Sequence, residues 1–125
     1  MIICHRYRFI FLHTRKTAGT SIEISLSRYC GEDDIITPFS IEDEVIRRWL
    51  SKKPQNYMDE EGKEKKYYHH ISAKEVKEKV GDQIWNSYYK FCFKRNPFEK
   101  AISWYFYRTK YSSMDGFNDW LKKSI

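Results

Sequence analysis

The sequence predicts an α/β fold in which a parallel sheet is flanked by helices in three layers. Residues 9–12 (Phe-Ile-Phe-Leu) are continuously apolar, which is typical of a strand buried on both faces of a parallel sheet. They belong to a predicted strand over residues 7–13, and residues 89–94 are a second predicted strand. A polar loop and an amphipathic helix follow each strand, the order that parallel pairing requires. The chain is predicted to form a single domain, residues 1–125.

Composition and charge limit the classes of function. Charged residues make up 32% of the chain and apolar residues 41%, which indicates a folded protein. The net charge of +6 favours anionic partners, but the cations are spread along the chain and we predict no nucleic-acid partner. Three cysteines without a CxxC motif predict neither a disulfide framework nor a zinc site. We expect the side chains of Cys4 and Cys92 to be buried in the core as free thiols, which suits a protein of a reducing compartment. The sequence has no visible signal peptide or membrane span, so we predict a cytoplasmic protein, with the oligomeric state left open.

The first half of the chain is predicted to contain two helices and a short strand. The first helix covers residues 21–29, and a short strand or extended connection covers residues 35–39. The buried stripe of the first helix is predicted to be Ile22, Leu26 and Tyr29. The second helix begins after Ser40, and residues 55–66 are predicted to be a charged surface loop. The buried stripe of the second helix is predicted to be Ile41, Val45, Ile46, Trp49 and Leu50.

The second half of the chain is predicted to be mainly helical. An S-x-x-E capping box at residues 72–75 opens a helix that Gly81 stops, and residues 82–88 predict a further turn or two. A later helix is predicted over residues 97–107, and we expect Asp115 to cap a last helix. The apolar face of the helix over residues 97–107 is predicted to be Phe98, Ala101, Ile102 and Tyr105.

The loop after the first predicted strand has the features of an anion-binding site. A helix start offers unsatisfied N–H groups and the positive end of the helix dipole, and here that start is Thr20-Ser21. Gly19 lets the backbone approach an anion closely, and Lys16 adds a positive charge. The loop differs from the GxxxxGK[ST] loop of nucleotide-dependent kinases, because here the Lys precedes the Gly. The loop therefore argues against a nucleotide-dependent kinase, which we rank low as an alternative function.

A second cation follows the second predicted strand. Arg95 has the planar fork that suits a phosphate group, and Ser103 lies eight residues further along, roughly two turns if the intervening chain is helical. The carboxyl ends of parallel strands meet at one edge of a sheet, where ligands bind. Two anion sites at neighbouring loops suit a ligand that carries two separate phosphate groups.

These motifs resemble those of the sulfotransferases. Lys16-Thr17-Ala18-Gly19-Thr20-Ser21 is similar to their 5′-phosphosulfate loop, and Arg95-Asn96-Pro97 followed by Ser103 is similar to their 3′-phosphate motif. The likeness is to the carbohydrate-type members, including short bacterial and viral-type ones, and it covers the N-terminal part of their domain. It implies a P-loop NTPase-like fold truncated at the C-terminus, the donor 3′-phosphoadenosine 5′-phosphosulfate (PAPS), and no metal. The implied PAPS-binding residues are Arg15, Lys16, Thr17, Ala18, Gly19, Thr20, Ser21, Arg95 and Ser103.

The resemblance also implies a catalytic pair and an acceptor. Lys16 would stabilise the charge on the departing phosphate, and His70 would take the proton from an acceptor hydroxyl, on a carbohydrate. Residues 70–103 follow the family's order of a His, a Ser-Ala helix start, a Trp and an aromatic strand that leads into Arg-Asn-Pro. His69 is the second candidate base, and an acidic residue serves in some members. Because the family's domain usually continues well past this point, a catalytically incomplete module that binds nucleotides or polyanions is the alternative function. Whether the chain is a fragment or a natural short form stays open.

Overall fold

The computed structural model describes residues 1–109 and 116–124, and the chain forms two compact units. The first unit is Met1–Phe93 and the second is Lys94–Ile125. Asp115, which we expect to cap the last helix, lies outside the described residues.

The first unit contains four strands and three helices. In chain order these are β1 Ile2–Cys4, β2 Phe9–Phe11, α1 Gly19–Ser27, β3 Ile35–Ile36, α2 Ile41–Leu50, α3 Ala73–Ser87 and β4 Tyr89–Phe91. The described part of the second unit contains α4 Pro97–Thr109 and α5 Phe117–Ser124.

The sheet is mixed, so the prediction of a parallel sheet is wrong except for one pair of strands. Its strand order is β3-β1-β2-β4; β1 is antiparallel to both β2 and β3, and β2 is parallel to β4. Residues 5–8 make the tight turn between β1 and β2, in which Arg8 has a left-handed φ of 54°. This turn (His-Arg-Tyr-Arg) contains none of the Gly, Asn, Asp or Pro residues that mark a hairpin. The sequence therefore does not predict β1 as a partner of β2.

Helices cover both faces of the sheet, which gives the predicted layers. Side chains alternate between the faces along each strand. On one face, Ile3 and Ile10 pack with Val76 of α3. On the other face, Ile2 and Phe11 form the core against which Ile22 and Leu26 of α1 pack. The predicted α1 stripe is only partly confirmed, because Ile22 and Leu26 pack on this core but are half-buried, and Tyr29 lies beyond the helix and is exposed.

Helix α2 presents its apolar side to solvent, which contradicts the predicted buried stripe. Its start is as predicted, because the Ser40 side chain accepts a hydrogen bond from the Asp43 N–H at 3.3 Å. The side chain that faces inward is Arg47, which is fully buried, lies 3.6 Å from the centre of the Phe39 ring and donates to the Thr37 carbonyl at 3.1 Å. The buried side of α2 is therefore the side from which Arg47 contacts the Phe39 ring and the Thr37 carbonyl. The periodicity of the apolar residues does not predict that side. The exposed residues of the predicted stripe are Ile41, Val45, Ile46, Trp49 and Leu50.

Helix α3 confirms the predicted capping box. The Ser72 hydroxyl accepts from the Glu75 N–H at 3.2 Å, and the Glu75 carboxylate accepts from the Ser72 N–H at 3.2 Å. Gly81 has φ 77° and ψ 164°, so the helical path breaks there and resumes for the second part of α3. Only glycine adopts this backbone conformation at low cost, which is why the sequence predicts the break correctly.

The second unit is a pair of helices with an aromatic core. The ring of Tyr105 on α4 lies 5.3 Å from that of Phe117 and 5.7 Å from that of Trp120, both on α5. Of the predicted apolar face of α4, Ala101 and Tyr105 are half-buried. The other two residues of that predicted face, Phe98 and Ile102, are exposed.

The cysteines are reduced, and their burial differs from the prediction at one position. Cys4 is buried as expected, whereas Cys92, just past the end of the edge strand β4, is exposed. The Cys4 thiol donates to the buried Asp34 carboxylate at 3.0 Å. The same carboxylate accepts from the His5 N–H at 2.6 Å and from the Gly31 N–H at 2.7 Å. Asp34 therefore holds the end of β1 and the turn after α1 together.

We expect Asp34→Ala to lower the free energy of unfolding by about 2–4 kcal/mol, because it leaves the half-buried N–H groups of His5 and Gly31 and the Cys4 thiol without an acceptor. Asp33 is the exposed neighbour, so Asp33→Ala is the matched control and should change the free energy of unfolding by no more than about 0.5 kcal/mol. Burial alone would raise the pKa of Asp34, but the hydrogen bonds from Cys4, Gly31 and His5 lower it below 3.8. The Asp34 contribution is thus present above pH 3.8 and lost as the pH falls below it. Equal urea midpoints for the two variants would contradict this role.

Candidate functional site

The loop between β2 and α1 has an unusual backbone. Lys16 and Ala18 are left-handed, with φ of 61° and 60°, while Thr17 between them has an ordinary negative φ. Alternation of this kind turns successive N–H groups towards one side and forms a concave anion-binding surface. The Thr14 hydroxyl donates to the Phe93 carbonyl at 2.6 Å, and the Thr17 hydroxyl donates to the Thr14 carbonyl at 2.9 Å. These hydrogen bonds of Thr14 and Thr17 thus stabilise the strained conformation of the loop.

Helix α1 begins at the end of this loop, two residues earlier than predicted. Its N-cap residue is Ala18, which makes no side-chain hydrogen bond to the first turn, and no acidic residue lies in that turn. By contrast, Ser40 and Ser72 cap α2 and α3 with their hydroxyls. The first turn of α1 therefore relies on neither a capping side chain nor a nearby carboxylate of its own to satisfy its N–H groups, which suits binding of an anion from outside.

Gly19 is required by a neighbouring ring. A Cβ atom at residue 19 would lie 2.2 Å from Nε2 and 2.3 Å from Cδ2 of His13. Gly19 is helical and buried, so its backbone conformation alone would accept alanine. The close approach of the His13 ring, and not a positive φ, excludes a side chain here.

His13 and Glu23 form a buried pair that sequence reasoning missed. His13 Nδ1 lies 2.5 Å from Glu23 Oε2, and the Glu23 side chain is fully buried. The other Glu23 oxygen contacts the amino group of Met1. Burial alone would raise the pKa of Glu23, but the His13 hydrogen bond and the Met1 charge lower it, so the carboxylate is ionised at neutral pH. The sequence did carry a signal, because Glu23 lies four residues after Gly19 and hence on the same side of α1.

The structure brings His70 to the start of the loop. Its Nδ1 lies 3.0 Å from the main-chain oxygen of His13, and the two rings are 4.9 Å apart. A carbonyl oxygen only accepts hydrogen bonds, so Nδ1 carries the proton and Nε2 of the neutral ring has the lone pair. Burial lowers the pKa of His70, and the charge of Arg15 contributes in the same direction. His70 is therefore neutral at pH 7 and presents a basic nitrogen.

His69 lies beside His70 and is half-buried like it. The ring centres of these two histidines are 3.8 Å apart, and the His69 ring is 5.4 Å from that of His13. Burial, together with the His70 and His13 rings, lowers the pKa of His69 to about 4. A base this weak takes a proton less readily than His70, although both residues lie at the loop.

Phe39 and Arg47 border the histidines. The Phe39 ring packs edge-to-face on His13 at 5.9 Å and on His69 at 6.3 Å, and the Arg47 guanidinium covers it. Burial lowers the pKa of Arg47, and the nearby Glu44 and Glu23 carboxylates oppose this change. Nε and Nη2 of Arg47 are buried without a hydrogen-bond partner among the described residues. Sequence reasoning assigned neither residue to the site.

The remaining predicted site residues are Thr20, Ser21, Arg95 and Ser103. Thr20 and Ser21 lie in the first turn of α1. Arg95 belongs to the second unit, where its Nε lies 3.3 Å from the Glu99 carboxylate and both side chains are largely exposed. Ser103 is half-buried on α4, two turns after Arg95. The joint role of Arg95 and Ser103 with the loop stays a prediction.

The described residues contain one group of possible metal ligands: Cys4, Cys30 and Asp34. Burial raises the pKa of both thiols, that of Cys30 to about 12, so both are protonated. Because the Asp34 oxygens already accept hydrogen bonds from the chain, we interpret the group as a hydrogen-bonded element of the core. In the described part of the chain no helix has the length and apolar character needed to cross a bilayer.

Comparison with known protein families gives a match over nearly the whole chain. The model of the Sulfotransferase family matches residues 1–124. Searches of curated proteins and of solved structures found no significant match. The matched region includes the left-handed loop, the uncapped start of α1, and His70. The chain belongs to the Sulfotransferase family.

Proposed function

We propose that this protein transfers a sulfuryl group from PAPS to a hydroxyl of a carbohydrate acceptor. Sulfuryl transfer in general follows from the family, whereas the donor and the acceptor are our proposal. The observation that carries it is the position of His70, whose Nδ1–H is held by the His13 carbonyl at the start of the anion-binding loop. A general base and an anion site thus adjoin each other, as transfer from an anionic donor to a hydroxyl requires.

The loop suits the phosphosulfate end of PAPS. Its left-handed residues and the start of α1 offer main-chain N–H groups, and the hydroxyls of Thr20 and Ser21 lie in the same turn. PAPS supplies a sulfuryl group joined to a phosphate through a bridging oxygen. Lys16, in the middle of the loop, neutralises the negative charge that develops on that oxygen as the bond breaks.

His70 takes the acceptor proton. Its Nε2 lone pair accepts the proton of the hydroxyl as the hydroxyl oxygen forms its bond to sulfur, while the Nδ1 hydrogen bond to the His13 carbonyl holds the ring in place. The positive ring that results lies close to Arg15, so loss of the proton to solvent after the reaction is favoured. His69, with a pKa of about 4, is the weaker candidate.

Arg95 and Ser103 are proposed to bind the 3′-phosphate of the donor. Phe93, whose carbonyl accepts from Thr14 of the loop, precedes Arg95 by two residues. The proposal of a carbohydrate acceptor rests on the pattern of residues 70–103. A reducing, cytoplasmic setting is proposed because Cys4 and Cys30 are buried free thiols.

Lys16→Ala is expected to weaken binding of 3′-phosphoadenosine 5′-phosphate (PAP), the desulfated donor, at least about tenfold, because one charge contact in a shielded loop is lost. Isothermal titration calorimetry without Mg²⁺ measures this. Lys74→Ala, an exposed lysine on α3, is the matched control and should bind PAP like the wild type. If the wild type binds ATP with Mg²⁺ more tightly than PAP, the kinase alternative replaces this proposal.

Arg95→Ala is expected to weaken PAP binding at least about tenfold, while having a smaller effect on adenosine 5′-phosphosulfate, which lacks the 3′-phosphate. Arg48→Ala, an exposed arginine on α2, serves as the control. An equal loss of affinity for both nucleotides would contradict a 3′-phosphate role for Arg95.

His70→Ala is expected to lower kcat by about 10²–10⁴-fold and to leave PAP affinity within about twofold, since a general base acts in the transfer step. His69→Ala is the matched comparison and should retain most of the turnover. Transfer of radiolabelled sulfate from PAPS to a panel of glycans measures both. A larger loss in His69→Ala would exchange the two roles, and binding of PAP without transfer to any acceptor would favour the non-catalytic module.

The pH dependence of kcat follows from His70. The base acts in its neutral form, and burial lowers its pKa below 6.5. Turnover should therefore be nearly constant at neutral pH and fall only as the pH drops through a midpoint below 6.5. A rate that still rises steeply between pH 7 and pH 8 would exclude a base with this pKa.

A further inference from the structure

We propose that His13 is the positioning residue of this site: its ring shapes the donor loop and its main-chain oxygen orients His70. The catalytic part of this inference rests on the proposed function, whereas the geometric part stands by itself. No motif of the sequence assigned a role to His13.

The His13 ring has a fixed orientation. The ionised Glu23 carboxylate only accepts hydrogen bonds, so His13 Nδ1 carries a proton and donates it at 2.5 Å. The ring is 7% exposed and is surrounded by the rings of Phe39, His69 and His70. It therefore cannot rotate away without breaking a charge-assisted hydrogen bond in the core.

This fixed ring determines where α1 begins. The edge of the ring opposite Nδ1 occupies the position of a Cβ atom on Gly19, the first residue of the helix. Residue 13 ends the segment after β2 and residue 19 starts α1, so the ring sets the distance between the two ends of the loop. The direction of the first N–H groups of α1 depends on that distance.

The loop between β2 and α1 is strained at two residues. Left-handed φ values at residues other than glycine cost on the order of 1 kcal/mol or more each, and they persist only where the surroundings enforce them. Lys16 and Ala18 are both of this type. The His13 ring constrains the loop at Gly19, and the hydrogen bond from Thr14 to Phe93 constrains it at the other end.

His13 also connects the loop to the proposed base, His70. The main-chain oxygen of His13 accepts the Nδ1 proton of His70 at 3.0 Å. A displacement of His13 therefore moves both the anion-binding turn and the basic nitrogen of His70. A residue with a purely structural role would change stability, whereas this one changes donor affinity and kcat in a coupled way.

The test is a double-mutant cycle of His13→Ala and Gly19→Ala. Gly19→Ala alone introduces a clash with the ring and should weaken PAP binding at least about tenfold, and His13→Ala alone should do the same because the loop loses its support. In the double variant the added methyl group has space, so the loss should be no greater than that of His13→Ala alone. Additive losses would overturn the proposal. Ser25→Ala, on the exposed side of α1, is the control and should leave PAP affinity unchanged.

Two further measurements keep the test decisive if a variant fails to fold or PAP does not bind. His13→Asn retains a side-chain donor for Glu23 but lacks the ring edge, so it should fold, tolerate Gly19→Ala and show a lower kcat at saturating PAPS. In the wild type, NMR should show nuclear Overhauser contacts between the His13 ring and Gly19 Hα, and protons on Nδ1 of both His13 and His70. If these signals are present but PAP does not bind, the proposed function is refuted, whereas the inferred geometry around His13 is supported. Their absence would overturn the inference whatever the ligand.

Discussion

The hydrogen bond between the His13 ring and the buried Glu23 carboxylate joins the end of β2 to the second turn of α1. Strand, loop and helix are held in one arrangement by this contact, because the opposite edge of the same ring leaves no room for a side chain at Gly19. The contact is inside the protein, where a charge-assisted hydrogen bond is strong and an unpaired carboxylate would be costly. The loop that would hold an anionic donor is thus supported from below by a pair of side chains that need not touch the donor.

The sequence predicted the parts of the fold that depend on local signals. The helix start at Ser72 and the break at Gly81 were correct, because a capping box and a glycine act through the nearest residues. The hairpin of β1 and β2 was not predicted, because its turn, His-Arg-Tyr-Arg, contains none of the residues that mark a hairpin. Its register is fixed by strand pairing within the sheet. The burial of α2 was predicted on the wrong side, because helical periodicity does not show the contacts that the Arg47 guanidinium makes with Phe39 and Thr37 in the extended chain just before the helix.

The candidate site shows the same division. Lys16 and the start of α1 were predicted from the order of small residues after a strand, and His70 from its place in a longer pattern. The partners that give these residues their chemistry were not predicted, because they are tertiary contacts. The proton on His70 Nδ1 is assigned by a carbonyl of residue 13, and the charge of Glu23 is stabilised by groups that are distant in sequence. A sequence pattern indicates which side chains are present, whereas their protonation depends on their hydrogen-bond partners in the folded chain.

The histidines illustrate why burial matters beside a basic loop. Arg15 and Lys16 make the region attractive to anions, and a protonated histidine there would be repelled by them. Burial favours the neutral form of His69 and His70, so the loop keeps its positive charge while His70 keeps a lone pair. A cationic loop and a neutral histidine can thus adjoin each other, because burial disfavours the positive form of the ring that Arg15 would repel.

The placement of the two smallest loop residues follows from the same geometry. Backbone conformation alone would favour glycine at residue 18, where φ is 60°, and would accept alanine at residue 19, which is helical. The chain has the reverse order, Ala18 then Gly19. A methyl group at residue 18 costs some backbone strain but meets no obstacle that would exclude it, since Ala18 is exposed. A methyl group at residue 19 would collide with the His13 ring, which Glu23 holds in place. This steric exclusion outweighs the backbone preference, so glycine is required at residue 19 although the φ angle favours it at residue 18.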